Sequence, residues 1–219
     1  MSTKKSARLA PRLGIYILGL WVLAFGIALA VNSNLGVSPD SSLPYVVSLI
    51  TKISLGPCTT IVYALYILLQ MVLKGGKFQP VLLLQLVFST LFGYCVDGTK
   101  LLLSNLIPGN YFAQLAMLAA SIALISFSLV LYIDVQIAPM PPEGLLGCIA
   151  EKLGKPFPKI KTLFDCASVL TGLILCFLFL GQLTGIREGT VITALLVGKL
   201  MGFFRKYLTP FIQKACFGE

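Results

Sequence analysis

Residues Leu13–Val31 read LGIYILGLWVLAFGIALAV, a run of 19 residues without a charge. A helix needs about 20 apolar residues to cross a bilayer, so this stretch predicts a transmembrane helix. Basic residues precede it, as in a signal peptide, but no small-residue cleavage site follows it. The apolar core of a signal peptide is also shorter, about 7–15 residues. We therefore expect the segment to be retained as the first span.

The rest of the chain has the same character. Of its 219 residues, 57% are hydrophobic and 11% are charged, whereas soluble domains are roughly 25% charged. The composition predicts one all-α, polytopic membrane domain over residues 1–219, with the lipid bilayer as its main partner. The net charge of +9 would suggest nucleic acid in a soluble protein. Here the basic residues stand at the ends of apolar segments, where membrane topology accounts for them, so we expect no nucleic-acid binding.

Six stretches are long enough for full spans, and two are short and broken by proline. The short ones are Ser38–Ile50 and Leu145–Leu153, the second of which follows Pro141 and Pro142. If both are re-entrant or half-length, most basic loops and both termini fall on the cytoplasmic side. If both cross fully, the count becomes eight and the charge bias weakens, so we favour six plus two. The six predicted spans are Leu13–Val31, Cys58–Leu73, Phe78–Leu103, Tyr111–Ile133, Leu163–Leu180 and about Gly189–Phe204.

An internal repeat relates the two halves of the chain. Leu35–Leu43 and Ile137–Leu145 lie 102 residues apart and share one pattern: apolar, small, two variable residues, proline, three variable residues, leucine. The repeats cover about 13–103 and about 111–206. Each would hold three full spans, and because three is odd the second half would enter the membrane inverted. An inverted 3+3 repeat with broken segments at matching positions is typical of secondary transporters.

Several motifs together resemble a known family. Besides Pro141-Pro-Glu-Gly144, they include Leu35-Gly-Val-Ser-Pro-Asp40, Phe92-Gly-Tyr94, Gly154-Lys-Pro-Phe157 and Arg187-Glu-Gly-Thr-Val-Ile192. With these motifs the chain resembles, after residue 12, the YitT/YczE-type family of small bacterial membrane proteins. The resemblance implies a multi-pass protein of the bacterial plasma membrane, and it implies no particular substrate.

The candidate substrate-binding residues are mostly polar groups close to the broken segments. Asp40 and Glu143 each follow a proline, where an acid either caps a helix or contacts a ligand. Asp165 either pairs with Lys161, four residues earlier on the same helix face, or takes part in the site. The complete set is Asn34, Ser38, Asp40, Ser41, Tyr63, Asp97, Glu143, Asp165 and Lys199.

Lys199 stands close to the centre of the last predicted span. An isolated ammonium there is costly, so we expect it to face the interior and pair with Asp97 or Glu143. We also expect prolines 39 and 141 to leave main-chain groups without helical partners, which must then line protein or a water-filled cavity. The ligand cavity should therefore lie between Ser38–Ser42 and Pro141–Gly144.

The function that fits these features is secondary transport of a small polar solute. The excess of acids within the segments favours a cationic or zwitterionic one. The alternative is a substrate-binding or regulatory membrane subunit without its own transport cycle, and the small size of the chain favours a homodimer. The chain has no histidine and no catalytic motif, and its six cysteines form no C-x-x-C pair, so we expect neither an enzyme nor a cofactor nor a metal.

Overall fold

The computed structural model describes residues 9–76, 79–182 and 185–217, and within them the chain forms eight α-helices and no strands. The basic residues Lys4, Lys5, Arg8 and Lys77, on which the topology prediction also depends, lie outside the described residues. The helices are α1 Leu9–Ser33, α2 Pro39–Thr51, α3 Leu55–Leu73, α4 Pro80–Leu102, α5 Tyr111–Asp134, α6 Pro141–Leu153, α7 Phe157–Leu180 and α8 Glu188–Phe217.

Five of these helices, α1, α3, α4, α5 and α7, are long and apolar enough to cross a membrane. The protein is therefore a helical, multi-pass membrane protein, as predicted. The sixth predicted span falls in α8, a 30-residue helix that carries Lys199, Arg205 and Lys206 and is not among the five. The sixth span thus stays a prediction.

Two helices, α2 and α6, are much shorter than the others. Each has 13 residues, which at 1.5 Å per residue is about 20 Å, against roughly 30 Å of hydrocarbon. Each begins with a proline, Pro39 or Pro141, and ends at a residue in the left-handed conformation, Lys52 or Gly154. The prediction of two short segments is confirmed, but α6 begins at Pro141, four residues before the predicted Leu145, because proline suits the first position of a helix.

The helices of the two halves recur at one offset. Pro39 and Pro141 begin α2 and α6, and Leu55 and Phe157 begin α3 and α7, in both cases 102 residues apart. The turns that follow α1 and α5 also match, because Asn34 (φ 56°) and Gln136 (φ 52°) are both left-handed. The two halves therefore have the same order of helices, and their short helices have the same length of 13 residues. Their opposite orientation in a bilayer remains a prediction.

The centre of the bundle is the contact between α1 and α5, which pack along their length. Helix α4 packs on α1, and α8 packs on α5. The short helices pack across the halves, α2 on α7 and α6 on α3. The largest side chains of the core, Tyr16, Phe92 and Tyr132, are fully buried or nearly so. Since α2 and α6 start between the long helices, polar groups at their first turns are carried into the interior.

The two halves differ at one contact. Helices α3 and α4 pack closely, and a Cβ atom at Gly93 would lie 2.5 Å from Thr60 Oγ1 and 2.8 Å from the Gly56 carbonyl oxygen. One repeat later, Gly56 and Gly93 are replaced by Pro158 and Leu195. In the described residues no comparable packing joins α7 to α8. The contact between α3 and α4 is therefore closed, whereas α7 and α8 are separated.

Helix α7 corrects one predicted boundary. It begins at Phe157, six residues before the predicted Leu163, so Lys159 and Lys161 are helical rather than part of a basic loop. Prolines 156 and 158 explain the early start, because proline suits the first positions of a helix, where its missing N–H is no loss. Lys161 is consequently carried toward the interior. Helix α8 likewise extends to Phe217, 13 residues beyond the predicted end.

Candidate functional site

A cavity of about 340 Å³ lies where the first turns of α2 and α6 meet the long helices α1, α3, α5, α7 and α8. Its position agrees with the cavity expected between the two broken segments. Six of the nine candidate residues line it, namely Ser38, Asp40, Ser41, Tyr63, Glu143 and Asp165.

An ionic cluster forms one side of this cavity. Lys161 Nζ lies 3.0 and 2.9 Å from the two carboxylate oxygens of Asp40 on α2, and 3.2 Å from Asp165 Oδ1. The Lys161–Asp165 pair on one helix face is one of the two alternatives that the sequence left open, and Asp165 also lines the cavity. Asp40 is more than a helix cap, because its ion pair joins α2 to α7. With all three groups ionised, the cluster carries a net charge of −1.

Glu143 faces the same cavity from the first turn of α6. The hydroxyl of Tyr132 on α5 donates a hydrogen bond to Glu143 Oε1 at 2.8 Å. The second oxygen, Oε2, is buried, and no group in the described residues donates to it. A buried acceptor without a donor costs about 1–3 kcal/mol, and more when it is charged. The carboxylate beside the cavity therefore has one buried oxygen that lacks a hydrogen-bond donor among the described residues.

The position of Glu143 depends on a contact between α6 and α3. Gln70 Nε2 donates to the Pro141 carbonyl oxygen at 3.1 Å and holds the start of α6. Gly144 leaves the room that this contact needs, since a Cβ there would lie 2.5 Å from side-chain atoms of Gln70 and Gln85. The first turn of α6 is thus fixed by buried amide side chains, which hold the carboxylate toward the cavity.

The prolines act differently from what we expected. Pro39 and Pro141 occupy the first positions of their helices, where an amide would lack an intrahelical partner in any case. They therefore remove unpaired donors rather than create them, and that part of the prediction is wrong. Pro44, inside α2, has the predicted kind of effect, because its missing N–H leaves the Asp40 carbonyl without an intrahelical donor.

Three candidate residues lie outside the cavity. Asn34 is exposed in the turn after α1, and its carbonyl oxygen accepts a bond from Arg187 Nη1 at 3.1 Å. Asp97 accepts bonds from Ser54 Oγ and the Gly56 amide, both at 2.7 Å, so it caps the start of α3 from α4. Lys199 is exposed on α8.

The predicted pairing of Lys199 is wrong. Within the part of the chain that the structure describes, Lys199 makes no ion pair. Its two expected partners are engaged elsewhere, Asp97 at the start of α3 and Glu143 with Tyr132. The physical reason is the separation of α7 and α8 in the described residues, which leaves Lys199 exposed on α8.

Lys161 and Tyr132 are the site residues that the sequence did not identify. Lys161 had a usable signal, because it lies four residues before Asp165, but we considered it only as a partner of Asp165 and not as a site residue. Tyr132 had none, since one tyrosine near the end of an apolar span usually reads as an interface anchor.

A second cavity, of about 470 Å³, adjoins the first. The two share Glu143, Phe157 and Lys161, and the second continues to Gln136 and Arg205. At its outer end Arg205 Nη2 lies 2.5 Å from Asp134 Oδ1 and Nε lies 3.1 Å from the same atom. Thr209 also donates to Asp134. The site therefore extends toward the end of the bundle where α5 finishes.

At the end of the bundle where α1 finishes, main-chain hydrogen bonds join the loop between α1 and α2 to the start of α8. The Val37 amide donates to the Gly185 carbonyl oxygen at 3.1 Å, and the Gly189 amide donates to the Leu35 carbonyl oxygen at 2.8 Å. The bond from Arg187 to the Asn34 carbonyl adds to them. The loop between α1 and α2 is thus fastened to the start of α8.

Residues 10–206 match a family described as a family of unknown function (DUF6198). The chain belongs to this family. It is 26% identical over 198 residues to the uncharacterized membrane protein YczE of Bacillus subtilis (strain 168), a match that covers 89% of this chain and 86% of the relative. The predicted resemblance to the YczE type is confirmed. No solved structure matches the chain. The matched region of this DUF6198 member contains every residue that lines the two cavities.

Proposed function

We propose that this membrane protein is a secondary transporter for a solute that carries an ammonium group, either a cation or a zwitterion. The observation that carries the proposal is the Glu143 carboxylate, whose Oε2 is buried beside the cavity and has no donor among the described residues. An ammonium group has three N–H donors and a positive charge, so it supplies what this oxygen lacks.

The charges around Glu143 support the same class of solute. Asp40, Glu143 and Asp165 oppose the single ammonium of Lys161 in the cavity lining. With all four ionised, the site carries two negative charges in excess, and a bound cation would lower the cost of keeping them out of water. For a zwitterion, Lys161 is the group suited to the anionic end.

The repeated halves support transport rather than static binding. Helices α2 and α6 start at the same cavity at equivalent positions of the repeat. Inverted repeats with broken helices at the midplane allow one half to move against the other around a fixed site. We place the protein in the bacterial plasma membrane with six full spans and both termini in the cytoplasm. The α3–α4 connection near Lys74 would then be cytoplasmic, and Pro108–Asn110 would be external.

The test begins with ligand binding to the purified protein. Thermal unfolding is followed in detergent with single compounds: ethanolamine and lysine, whose ammonium groups carry N–H donors, and choline and glycine betaine, which lack N–H donors and are controls for charge alone. A ligand at 100 times its Kd adds about 2.7 kcal/mol to the stability of the native state. We expect at least one compound to raise the unfolding midpoint of the native chain, and Glu143→Gln to abolish that shift while it keeps the midpoint without ligand. Glu151→Gln changes an exposed acid on the same helix and should leave the shift intact.

Uptake into proteoliposomes then separates transport from binding alone. A transporter moves the stabilising compound without another protein, whereas a substrate-binding subunit binds it and moves nothing. If Glu143→Gln and Asp40→Asn both bind and move the compound normally, these acids serve only as helix caps and ion-pair partners, and the site lies elsewhere.

A further inference from the structure

The first cavity opens on one side of the bundle. Five of the residues that line it are also exposed: Phe157, Pro158 and Thr162 on α7, and Ala194 and Gly198 on α8. The residues contributed by α1, α2, α3, α5 and α6 are buried or partly buried. The opening is therefore the gap between α7 and α8, which we call the slot.

The slot runs along one face of α8. Thr193, Val197 and Met201 line the first cavity at intervals of four residues, and Arg205 continues the row in the second cavity. Twelve residues of helix correspond to about 18 Å, more than half of the roughly 30 Å of hydrocarbon in a bilayer. On α7 the lining residues belong to the first two to three turns of a helix long and apolar enough to span. The slot thus extends from one end of α7 toward its middle.

The surroundings of the slot are apolar. Next to the lining residues, Leu163 on α7 is 67% exposed and Leu195 on α8 is 64% exposed. Side chains of this kind are stable when they face lipid tails rather than water. The acids, by contrast, lie behind the opening, where Asp40 and Glu143 are partly buried. A molecule in the slot would have its polar end against carboxylates and its other end among lipid.

We propose that the substrate is an amphiphile, a membrane lipid whose polar head carries an ammonium group, and that it enters the site from the bilayer between α7 and α8. The proposal rests on the transport function proposed above and narrows its substrate class. The ammonium of the head group pairs with the Glu143 carboxylate while the acyl chains stay in lipid. Free solutes can carry the same ammonium group, but they do not need a lateral opening. The slot is therefore the feature that favours a lipid over a free solute as the substrate.

Two glycines on α8 provide a matched pair of variants. A Cβ at Gly198 or at Gly202 would meet nothing within 4 Å, and both glycines are exposed. Only Gly198 lines the cavity. Leucine at 198 therefore fills the slot, whereas leucine at 202 adds the same side chain to the same helix outside it. The added Cβ meets no neighbouring atom in either variant, so both variants should fold.

The experiment measures lipid retention by native mass spectrometry of the purified protein. The probes are phosphatidylethanolamine and phosphatidylglycerol with identical acyl chains, and free ethanolamine is tested separately by thermal unfolding. We expect phosphatidylethanolamine to be retained about tenfold better than phosphatidylglycerol, a difference of about 1.4 kcal/mol. Gly198→Leu should lower this retention about tenfold and Gly202→Leu should not. Glu143→Gln should remove the preference between the two lipids.

Three outcomes would overturn the inference. They are equal retention of both lipids, unchanged retention in Gly198→Leu, and stabilisation by free ethanolamine with no preferred lipid. The third outcome leaves transport of a free solute standing, provided that Glu143→Gln abolishes the ethanolamine shift. If Glu143→Gln changes neither lipid preference nor ethanolamine binding, the proposed site itself is wrong.

Discussion

The α3–α4 pair and the α7–α8 pair occupy equivalent places in the two halves of the chain, but the helices of the first pair pack closely and those of the second do not. In the first pair, Gly56 and Gly93 let the helices touch at main-chain distance. In the second, Pro158 and Leu195 stand at the same positions, and no comparable packing joins the helices in the residues described. Small residues allow two membrane helices to approach closely, and bulky ones hold them apart. A difference at two positions therefore accompanies the change from a closed helix contact to an open slot.

A charge reversal accompanies the difference in packing. Asp97 on α4 reaches the first turn of α3, where the partial positive charge of the helix N-terminus favours an acid. One repeat later the residue is Lys199. An ammonium would be repelled by the first turn of α7, so it cannot make the corresponding bond. In the first half, the glycines allow α3 and α4 to touch and the Asp97 carboxylate bonds to the start of α3. In the second half, both the glycines and the carboxylate are replaced.

Gly93→Leu should have the largest effect, because it places at the closed contact the residue found at the open one. The new side chain would meet Thr60 and the main chain of α3. Overpacking costs typically about 1–3 kcal/mol, and we expect the upper end because main-chain atoms are involved. Thermal unfolding in detergent should show a clearly lower midpoint. Gly98→Leu on the same helix is the control, since its Cβ meets nothing within 4 Å. Equal midpoints for the two variants would contradict the packing argument.

Asp97→Ala should have an intermediate effect on stability. It removes the acceptor of the Ser54 hydroxyl and of the Gly56 amide. Hydrogen bonds to a charged group contribute about 1.5–3 kcal/mol, and exposure of part of this contact favours the lower value. Lys199→Ala, at the equivalent place, should change stability by less than about 0.5 kcal/mol because Lys199 has no ion-pair partner among the described residues. A large loss in Lys199→Ala would mean that a lipid or a second copy of the chain binds it.

The smallest expected effect is a difference in labelling rate between Thr60→Cys and Thr162→Cys. These threonines are 102 residues apart, but Thr162 is exposed at the slot and Thr60 is half-buried at the closed contact. In a background without the six native cysteines, a lipid-soluble maleimide should react with position 162 about threefold faster or more, because opening of the closed contact limits the other reaction. Both variants should react alike once they are denatured. Equal rates in the native state would show that the two pairs open equally often.

The sequence predicted the parts of the fold that the bilayer itself demands. Leu13–Val31 and Tyr111–Ile133 had to be helical, because lipid satisfies no main-chain polar group. Prolines 39 and 141 marked the starts of the short helices, since proline is compatible with a helix only near its first turn. Candidate residues at those starts, such as Asp40 and Glu143, consequently lie at one cavity.

The remaining features depend on which helices touch, and a one-dimensional pattern carries little of that information. Lys199 is the most central basic residue of its segment, yet it faces outward because α7 and α8 separate. Lys161 belonged by its position to a basic segment, yet two acids bind it at the cavity. The repeat carried the signal that would have helped, because it pairs Gly93 with Leu195 and so indicates which contact can close.

The fastening between the α1–α2 loop and the start of α8 has a consequence for how this molecule tolerates variation. Its amides and carbonyls, at Leu35, Val37, Gly185 and Gly189, belong to the main chain, so they persist when the side chains of Leu35 and Val37 change. The glycines differ, since Gly36 and Gly185 have φ of 113° and 82°, and a Cβ at Gly189 would lie 2.6 Å from the Leu35 carbonyl oxygen. A library of single substitutions would therefore record this end of the bundle mainly as three intolerant glycines. The strength of these main-chain bonds therefore cannot be judged from the number of positions at which substitution is harmful.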